Sequence, residues 1–276
     1  MTGFPTPSAI SERRRAFRRL HDSGCFVLPN PWDAGSARAL EQMGFKALAS
    51  TSSGFAWSQA RPDGGLTRAQ VLDHLRTLVA ATGLPVNADF ESGFAADRDG
   101  VAESVALAVA AGVAGLSIED ATGDAAQPMF TLDEAVARLR VARTAIDHSG
   151  GETLLVGRAD GLLHGNPDLD DAIRRLQAYA EAGADCLYAP GIKTAAQVRA
   201  VVAAVAPKPV NVLIGWQSEL TLEQLTDLGV RRVSVGGALA RAAWGGFLSA
   251  AARLAEGRFD GFGSAAPGGE LNARFR

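Results

Sequence analysis

Residues 101–120 read VAESVALAVAAGVAGLSIED. An alanine-rich helical pattern, Ala102–Ala111, meets the phrase Ala111-Gly112-Val113 and then turns into Gly115–Asp120, an apolar run with two carboxylates at its end. Glycine just past a helix is the usual left-handed terminator, and an apolar run a few residues later marks a buried parallel strand. The same unit recurs along the chain. Ala81-Thr82-Gly83, Ala182-Gly183-Ala184 and Leu228-Gly229-Val230 repeat the terminator, and Arg68–Ala81, Leu132–Ile146 and Leu169–Ala182 repeat the helix. Strand-like runs fall at Phe26–Pro29, Ala47–Thr51, Pro85–Phe90, Gly115–Asp120, Leu154–Asp160, Cys186–Pro190, Val210–Ile214 and Arg232–Gly236. Eight evenly spaced βα units without a composition break predict one (β/α)8 TIM barrel over residues 1–276, closed rather than an open doubly wound sheet. The glycine-rich tail from about residue 257 is expected to wrap a surface or reach a neighbouring subunit.

Composition narrows the function. With 276 residues, 47% hydrophobic, disorder is excluded as the main state, and a net charge of −3 argues against a nucleic-acid binder. No stretch reads as a membrane span or secretory signal. Only two cysteines occur, Cys25 and Cys186, both inside apolar strand patterns. That excludes a disulfide framework or thiolate cluster and points to a reducing cytoplasm. Arg13, Arg14, Arg15, Arg18 and Arg19 read as the solvated face of a helix that packs Ile10, Phe17 and Leu20 inward.

In a barrel, the chemistry sits at the C-terminal ends of the strands. Strand three ends in Asp89-Phe90-Glu91, strand four in Glu119-Asp120, and strand five in Arg158-Ala159-Asp160. Carboxylates crowded on one rim repel each other unless a cation sits among them, and an all-oxygen donor set points to Mg2+ or Mn2+. Asp120 and Asp160 can equally be helix caps. Arg158, a planar fork, suits a substrate carboxylate or a carboxylate network. The small residues Ser50–Gly54 after strand two offer backbone N–H groups to an anion, and Val235-Gly236-Gly237 resembles a barrel phosphate site. His164 lies just beyond strand five, whereas His21, His74 and His148 read as structural. Lys193 is the one lysine placed for a Schiff base.

At these residues the chain resembles the isocitrate lyase/phosphoenolpyruvate mutase superfamily, from about Leu28 to about Ala255. The resemblance is carried by Asn30–Ala37, Ser52-Ser53-Gly54-Phe55, Arg61-Pro62-Asp63, Asp89–Phe94, Ile118-Glu119-Asp120 and Arg158. It implies Mg2+ bound directly by Asp89, with Glu91 and Glu119 acting largely through metal-bound water. The implied ligand is a small α-oxo acid, its carboxylate held by Arg158 and the backbone of Ser53, Gly54 and Phe55. A C–C or P–C bond would break or form through a metal-stabilised enolate, with Asp63, His164 or bound water moving the proton. Asn211, at the end of strand seven, would meet the distal part of the substrate. The resemblance further implies a homotetramer of dimers that exchange the eighth helix. The helix around Ala238–Leu254 adds its own hint, with Leu239, Ala242, Trp244, Phe247 and Leu248 covering more than one apolar stripe.

Two departures matter. Where the superfamily's lyases carry a Lys-Lys-Cys-Gly-His gating motif, Ala121–Phe130 contains no Cys, Lys or His, and Glu91 replaces the usual second aspartate. Besides lyase-type cleavage of an α-oxo acid, three readings therefore stay open: an oxaloacetate decarboxylase, a Schiff-base aldolase at Lys193, and a non-catalytic oxo-acid binding protein.

Overall fold

The computed structural model describes residues 3–276. Its strands are β1 (Phe26–Leu28), β2 (Leu48–Ala49), β3 (Val86–Asp89), β4 (Gly115–Glu119), β5 (Leu154–Arg158), β6 (Cys186–Tyr188), β7 (Val210–Leu213) and β8 (Arg232–Ser234). All ladders are parallel, in the order β1-β8-β7-β6-β5-β4-β3-β2. Between the two ends of that order, the Ala49 amide donates to the Pro29 carbonyl (3.0 Å), just past β1. The result is a nearly closed (β/α)8 barrel, with each strand inside its predicted run.

Helices alternate with the strands: α1 (Pro7–Arg19), α2 (Ala34–Gln42), a short α3 (Ser52–Ser58), α4 (Arg68–Ala81), α5 (Arg98–Ala110), α6 (Leu132–His148), α7 (Leu169–Glu181), α8 (Ala195–Val205), α9 (Leu222–Asp227), α10 (Ala238–Ala255) and α11 (Gly268–Arg274). Gly112, Gly183 and Gly229 end their helices at φ of +87°, +101° and +85°, as the left-handed terminator requires. Gly83 does not. There α4 ends in an extended Thr82, and the Gly83 amide donates to Glu41.

Two-residue alternation along the strands sorts the side chains. Leu48, Val86, Leu116, Ile118, Leu155, Leu187, Val212 and Val233 face outward into the main core beneath the helices. The opposite set lines the barrel lumen. Its floor is apolar: Phe17 of α1 packs with Leu28, Ala47, Ala49, Ala114 and Leu154 and is fully buried. Gly115 is required here, because a Cβ would lie 2.8 Å from Phe17 Cε1 and 2.7 Å from Asn87 Oδ1. The arginine-rich face of α1 is not simply solvated. Arg14 is buried and donates to the Val109 and Val113 carbonyls at the end of α5, where the helix dipole favours a cation.

Outside the barrel, α10 buries only Ala240, leaving Phe247 60% and Leu248 59% exposed. The tail is more ordered than its glycine content suggests. It folds into α11 and returns to α2, where Gln42 Nε2 donates to the Arg274 carbonyl (2.6 Å). No helix among the described residues is long and apolar enough to cross a membrane.

Candidate active site

β3, β4 and β5 deliver their charges to one rim. Asp89 Oδ2 accepts from the Ser52 amide (3.0 Å) and hydroxyl (2.9 Å), which tie it to the N-terminus of α3. Its Oδ1 accepts from Arg158 Nη1 (3.1 Å), the same nitrogen that meets Glu119 at 2.9 Å. The other edge of Arg158 grips Asp160 in a fork, at 2.6 and 2.8 Å, above the Tyr188 ring. This guanidinium is a shared counter-charge that positions three carboxylates.

Glu91 is held differently. Its backbone is left-handed (φ +45°), and its carbonyl accepts from the Glu119 amide (3.0 Å). Its Oε1 is buried with no hydrogen-bond partner among the described residues. Burial, then the charges of Asp89 and Asp63, raise this carboxyl to about 7 against the opposing pull of Arg158. Glu119 is raised well above the ordinary carboxylate range, first by burial, with Asp160, Asp89 and Glu91 adding to it. Asp63 is raised by burial and by Asp89, and lies 3.4 Å from the Ser52 hydroxyl.

Two cavities meet at this rim. An inner one of about 160 Å³ descends into the lumen past Ser53, Asp89, Tyr188, Asn211 and Arg232. An outer one of about 570 Å³ is bounded by Asp63, Glu91, Glu119, Asp160, Thr122 and His164. His164 lies 3.9 Å from Asp160 and is well exposed.

Several expectations are corrected. Of the Ser53, Gly54 and Phe55 amides, only that of Ser53 has no acceptor among the described residues. Gly54 donates to Thr51 Oγ1 and Phe55 to the Thr51 carbonyl, both as ordinary capping of α3. The Phe55 ring stacks on His74, centroids 3.7 Å apart, and Gly54 is glycine because Thr51, Ala240 and Trp32 crowd it. Asn211 is the second residue of β7, not its end, and hydrogen-bonds Ser234 and Arg232 inside the lumen. Asp120 and Asp160 do not cap helices by their side chains. Asp120 accepts from the Asp160 amide, Tyr179 and Arg175, bracing the ends of β4 and β5. The Val235 and Gly236 amides both donate to Asn30 Oδ1, which uses up the suggested phosphate cradle. Lys193 lies over the Trp216 ring, outside both cavities. Cys25 immediately precedes β1, whereas Cys186 is buried within β6.

Ser52, Tyr188 and Arg232 were not singled out from sequence. Ser52 falls within Ser52–Phe55, but only the structure shows its hydroxyl on Asp89. Arg232 had a legible signal: in Arg232-Val233-Ser234 a charged residue occupies the inward register of a buried strand.

The acids do not close on one point as a three-donor cluster among the described residues, since Arg158 stands between Asp89 and Glu119. They do fit a hard cation that takes few protein oxygens and completes its shell with water and ligand, as Mg2+ does. Glu91 Oε1, an orphaned carboxylate oxygen at a rim with five carboxylates and one guanidinium, is the observation behind that fit.

Fold and rim together define a (β/α)8 enzyme with an acidic, oxygen-only site at the C-terminal mouth of the barrel. The family model described as phosphoenolpyruvate phosphomutase matches residues 17–255, and the chain belongs to that family, within the PEP mutase/isocitrate lyase superfamily. It is an enzyme of the carbon–carbon lyase type. A Burkholderia cenocepacia crystal structure described as a lyase/mutase is 49% identical, superposes with a TM-score of 0.93, and covers 97% of each chain. An oxaloacetate decarboxylase of Bradyrhizobium diazoefficiens is 32% identical over 71% of this chain and 69% of its own length. A phosphonopyruvate hydrolase in complex with oxalate and Mg2+ is 26% identical, with a TM-score of 0.84 and 96% of each chain covered.

Proposed function

We propose that this protein is a Mg2+-dependent lyase that cleaves or forms a C–C bond beta to the carbonyl of a small α-oxo carboxylic acid. The observation that carries this reading is the rim: five carboxylates around one guanidinium, with one oxygen of Glu91 left without a partner, above a polar cavity. Asp89 would hold the metal directly, with Glu91 and Glu119 reaching it through water. When bound, Mg2+ supplies Lewis acidity to the oxo and carboxylate oxygens of the ligand.

The chain's own residues do the rest. Asp160 locks the Arg158 fork, so that Nη1 stays aimed between Asp89 and Glu119 and keeps both carboxylates in place. Ser52 fixes the rotamer of Asp89 from the other side. Ser53 lines the inner cavity, and its amide, which has no acceptor among the described residues, is the donor assigned to the ligand carboxylate. Asp63 and His164 flank the outer cavity and are the side chains placed to move a proton.

Decarboxylation of oxaloacetate is favoured as the particular reaction by the loop 121–130. Ala121 bridges Met129, Thr122 bonds Pro128 and Gln127, and only Ala121, Thr122 and Gly123 border the outer cavity. None of these offers a side chain that acts as an acid near neutral pH, and the pyruvate enolate left when the C–C bond to CO2 breaks can take its proton from water. The similarity to an oxaloacetate decarboxylase supports the same reading.

The test combines turnover and calorimetry. Oxaloacetate with Mg2+ should give pyruvate and CO2, and oxalate should bind only with Mg2+. Asp89→Ala should abolish metal-dependent oxalate binding while leaving the circular dichroism spectrum unchanged. Full oxalate binding in EDTA would overturn the metal assignment. Binding across a panel of oxo acids without turnover would leave a binding protein in place of an enzyme.

A further inference from the structure

Below the acidic rim, the lumen holds a second arginine in very different company. Arg232 is 2% exposed and has no carboxylate within salt-bridge distance among the described residues. Its Nε donates to Asn211 Oδ1 (2.9 Å) and its Nη1 to Asn87 Oδ1 (3.3 Å). Both partners are neutral. Their amide nitrogens are committed to Ser234 Oγ and the Ala88 carbonyl, which turns both oxygens toward the guanidinium.

The other buried arginines are compensated. Arg158 has three carboxylates, Arg138 has Glu134 and three carbonyls, and Arg14 sits on the negative end of α5. The ionisable neighbours of Arg232 are Cys186, Tyr188 and His21; burial keeps the protons on Cys186 and Tyr188 and holds His21 neutral, so none supplies a negative charge. Arg232 Nη2 donates to no described residue, and the guanidinium borders the inner cavity. An unpaired charge is expensive to bury, and a planar fork is shaped to take a carboxylate.

Placement says which carboxylate. Asn87 and Asp89 share one face of β3, so the Arg232–Asn87 contact lies one lumen layer below Asp89, roughly 6–7 Å along the strand. Phe17 and its apolar neighbours fill the space beneath, and the cavity lining runs from Arg232, Asn87 and Asn211 up to the rim residues Ser52, Asp63 and Asp89. A short diacid whose oxo-acid end sits at Asp89 spans that interval with its other end.

We propose that Arg232, held by Asn87 and Asn211, is an anion-reading floor of the site. It binds the distal carboxylate of a small 2-oxo diacid and makes the enzyme select dianionic over monoanionic oxo acids. This rests on the α-oxo acid reading above and adds the residue that sets substrate charge.

Calorimetry with Mg2+ present tests it with two probes. Oxalate is too short to leave the rim, and 3,3-difluorooxaloacetate reaches the floor. Asn211→Asp supplies Arg232 with an internal counter-ion at the existing contact, so it should fold with an equal or higher Tm. It should nevertheless weaken 3,3-difluorooxaloacetate by about 30-fold or more, the range for losing one charge-assisted hydrogen bond. Arg232→Gln should do the same, and in both variants oxalate should stay within about threefold of the wild type, well inside one decade of affinity. Undiminished 3,3-difluorooxaloacetate binding by both variants overturns the proposal, as does parallel loss of both probes, which would make Arg232 a strut between β3 and β7. A wild type that binds neither probe with Mg2+ overturns the oxo-acid reading along with it.

Discussion

His21 shows how one side chain can set the acid stability of this barrel. It sits in the turn after α1, edge-on to Phe17 and Phe26, with its Nδ1–H donating to the Phe17 carbonyl (2.8 Å). Its Nε2 is buried without a partner among the described residues, and burial, reinforced by the nearby charge of Arg232, depresses the imidazole to about 3. His74, stacked on Phe55, is likewise depressed, to about 4. In the unfolded chain both titrate near 6.5, so below that pH the unfolded state binds protons that the native state refuses. Their contribution to stability is complete above about 6.5 and is lost progressively as pH falls toward the folded values. At pH 5 each should cost about 2 kcal/mol relative to pH 7.5. Urea unfolding at the two pH values should show about 2 kcal/mol less acid loss in His21→Gln than in the wild type. An identical pH dependence in the two proteins would show that His21 does not carry this effect.

At the scale of elements, α1 is the stopper of the barrel. Phe17 is fully buried against Leu28, Ala47, Ala49, Ala114 and Leu154, and Arg14 pins the helix to the end of α5. Phe17→Ala should therefore lower the unfolding free energy by about 3–5 kcal/mol in urea titration, the usual range for a buried phenylalanine. A loss under about 1 kcal/mol would mean that the floor collapses around the gap. The repeat of helix, glycine and apolar strand was legible because it is local, and the rim charges were legible because strand ends are. What stayed hidden depends on contacts across the lumen or on backbone shape. Nothing in Arg158 itself says that Asp160 takes one edge while Asp89 and Glu119 share the other. Glu91 gives no sign of its left-handed backbone, and nothing in Ser52–Phe55 shows that the Gly54 and Phe55 amides are taken up in capping α3. Gly83 looks like its three counterparts yet meets Glu41 instead of adopting their conformation.

For the whole molecule, the open question is what covers α10. A barrel helix normally buries a stripe against its own strands, but here Trp244, Phe247, Leu248 and Leu254 are between 38% and 60% exposed, and only Ala240 is buried. At the root of the helix, Trp32, Ser58, Ala243, Trp244 and Phe247 form an apolar groove of about 210 Å³. Burying large side chains of this kind contributes about 1.5–3 kcal/mol each, so an apolar face of this size drives association. A second copy of the chain is the occupant expected from the family resemblance: each α10 laid across the neighbouring barrel gives a dimer, and two dimers give a tetramer. Within the single chain, α11 lies against α2, where Gln42 Nε2 meets the Arg274 carbonyl. Light scattering at micromolar concentration should therefore give about four times the 28.6 kDa chain mass. Phe247→Asp/Leu248→Asp, which puts two charges on the exposed face, should move the protein to smaller species with the barrel still folded by circular dichroism. A wild type that runs as a clean 28.6 kDa species would remove both the exchange and the tetramer.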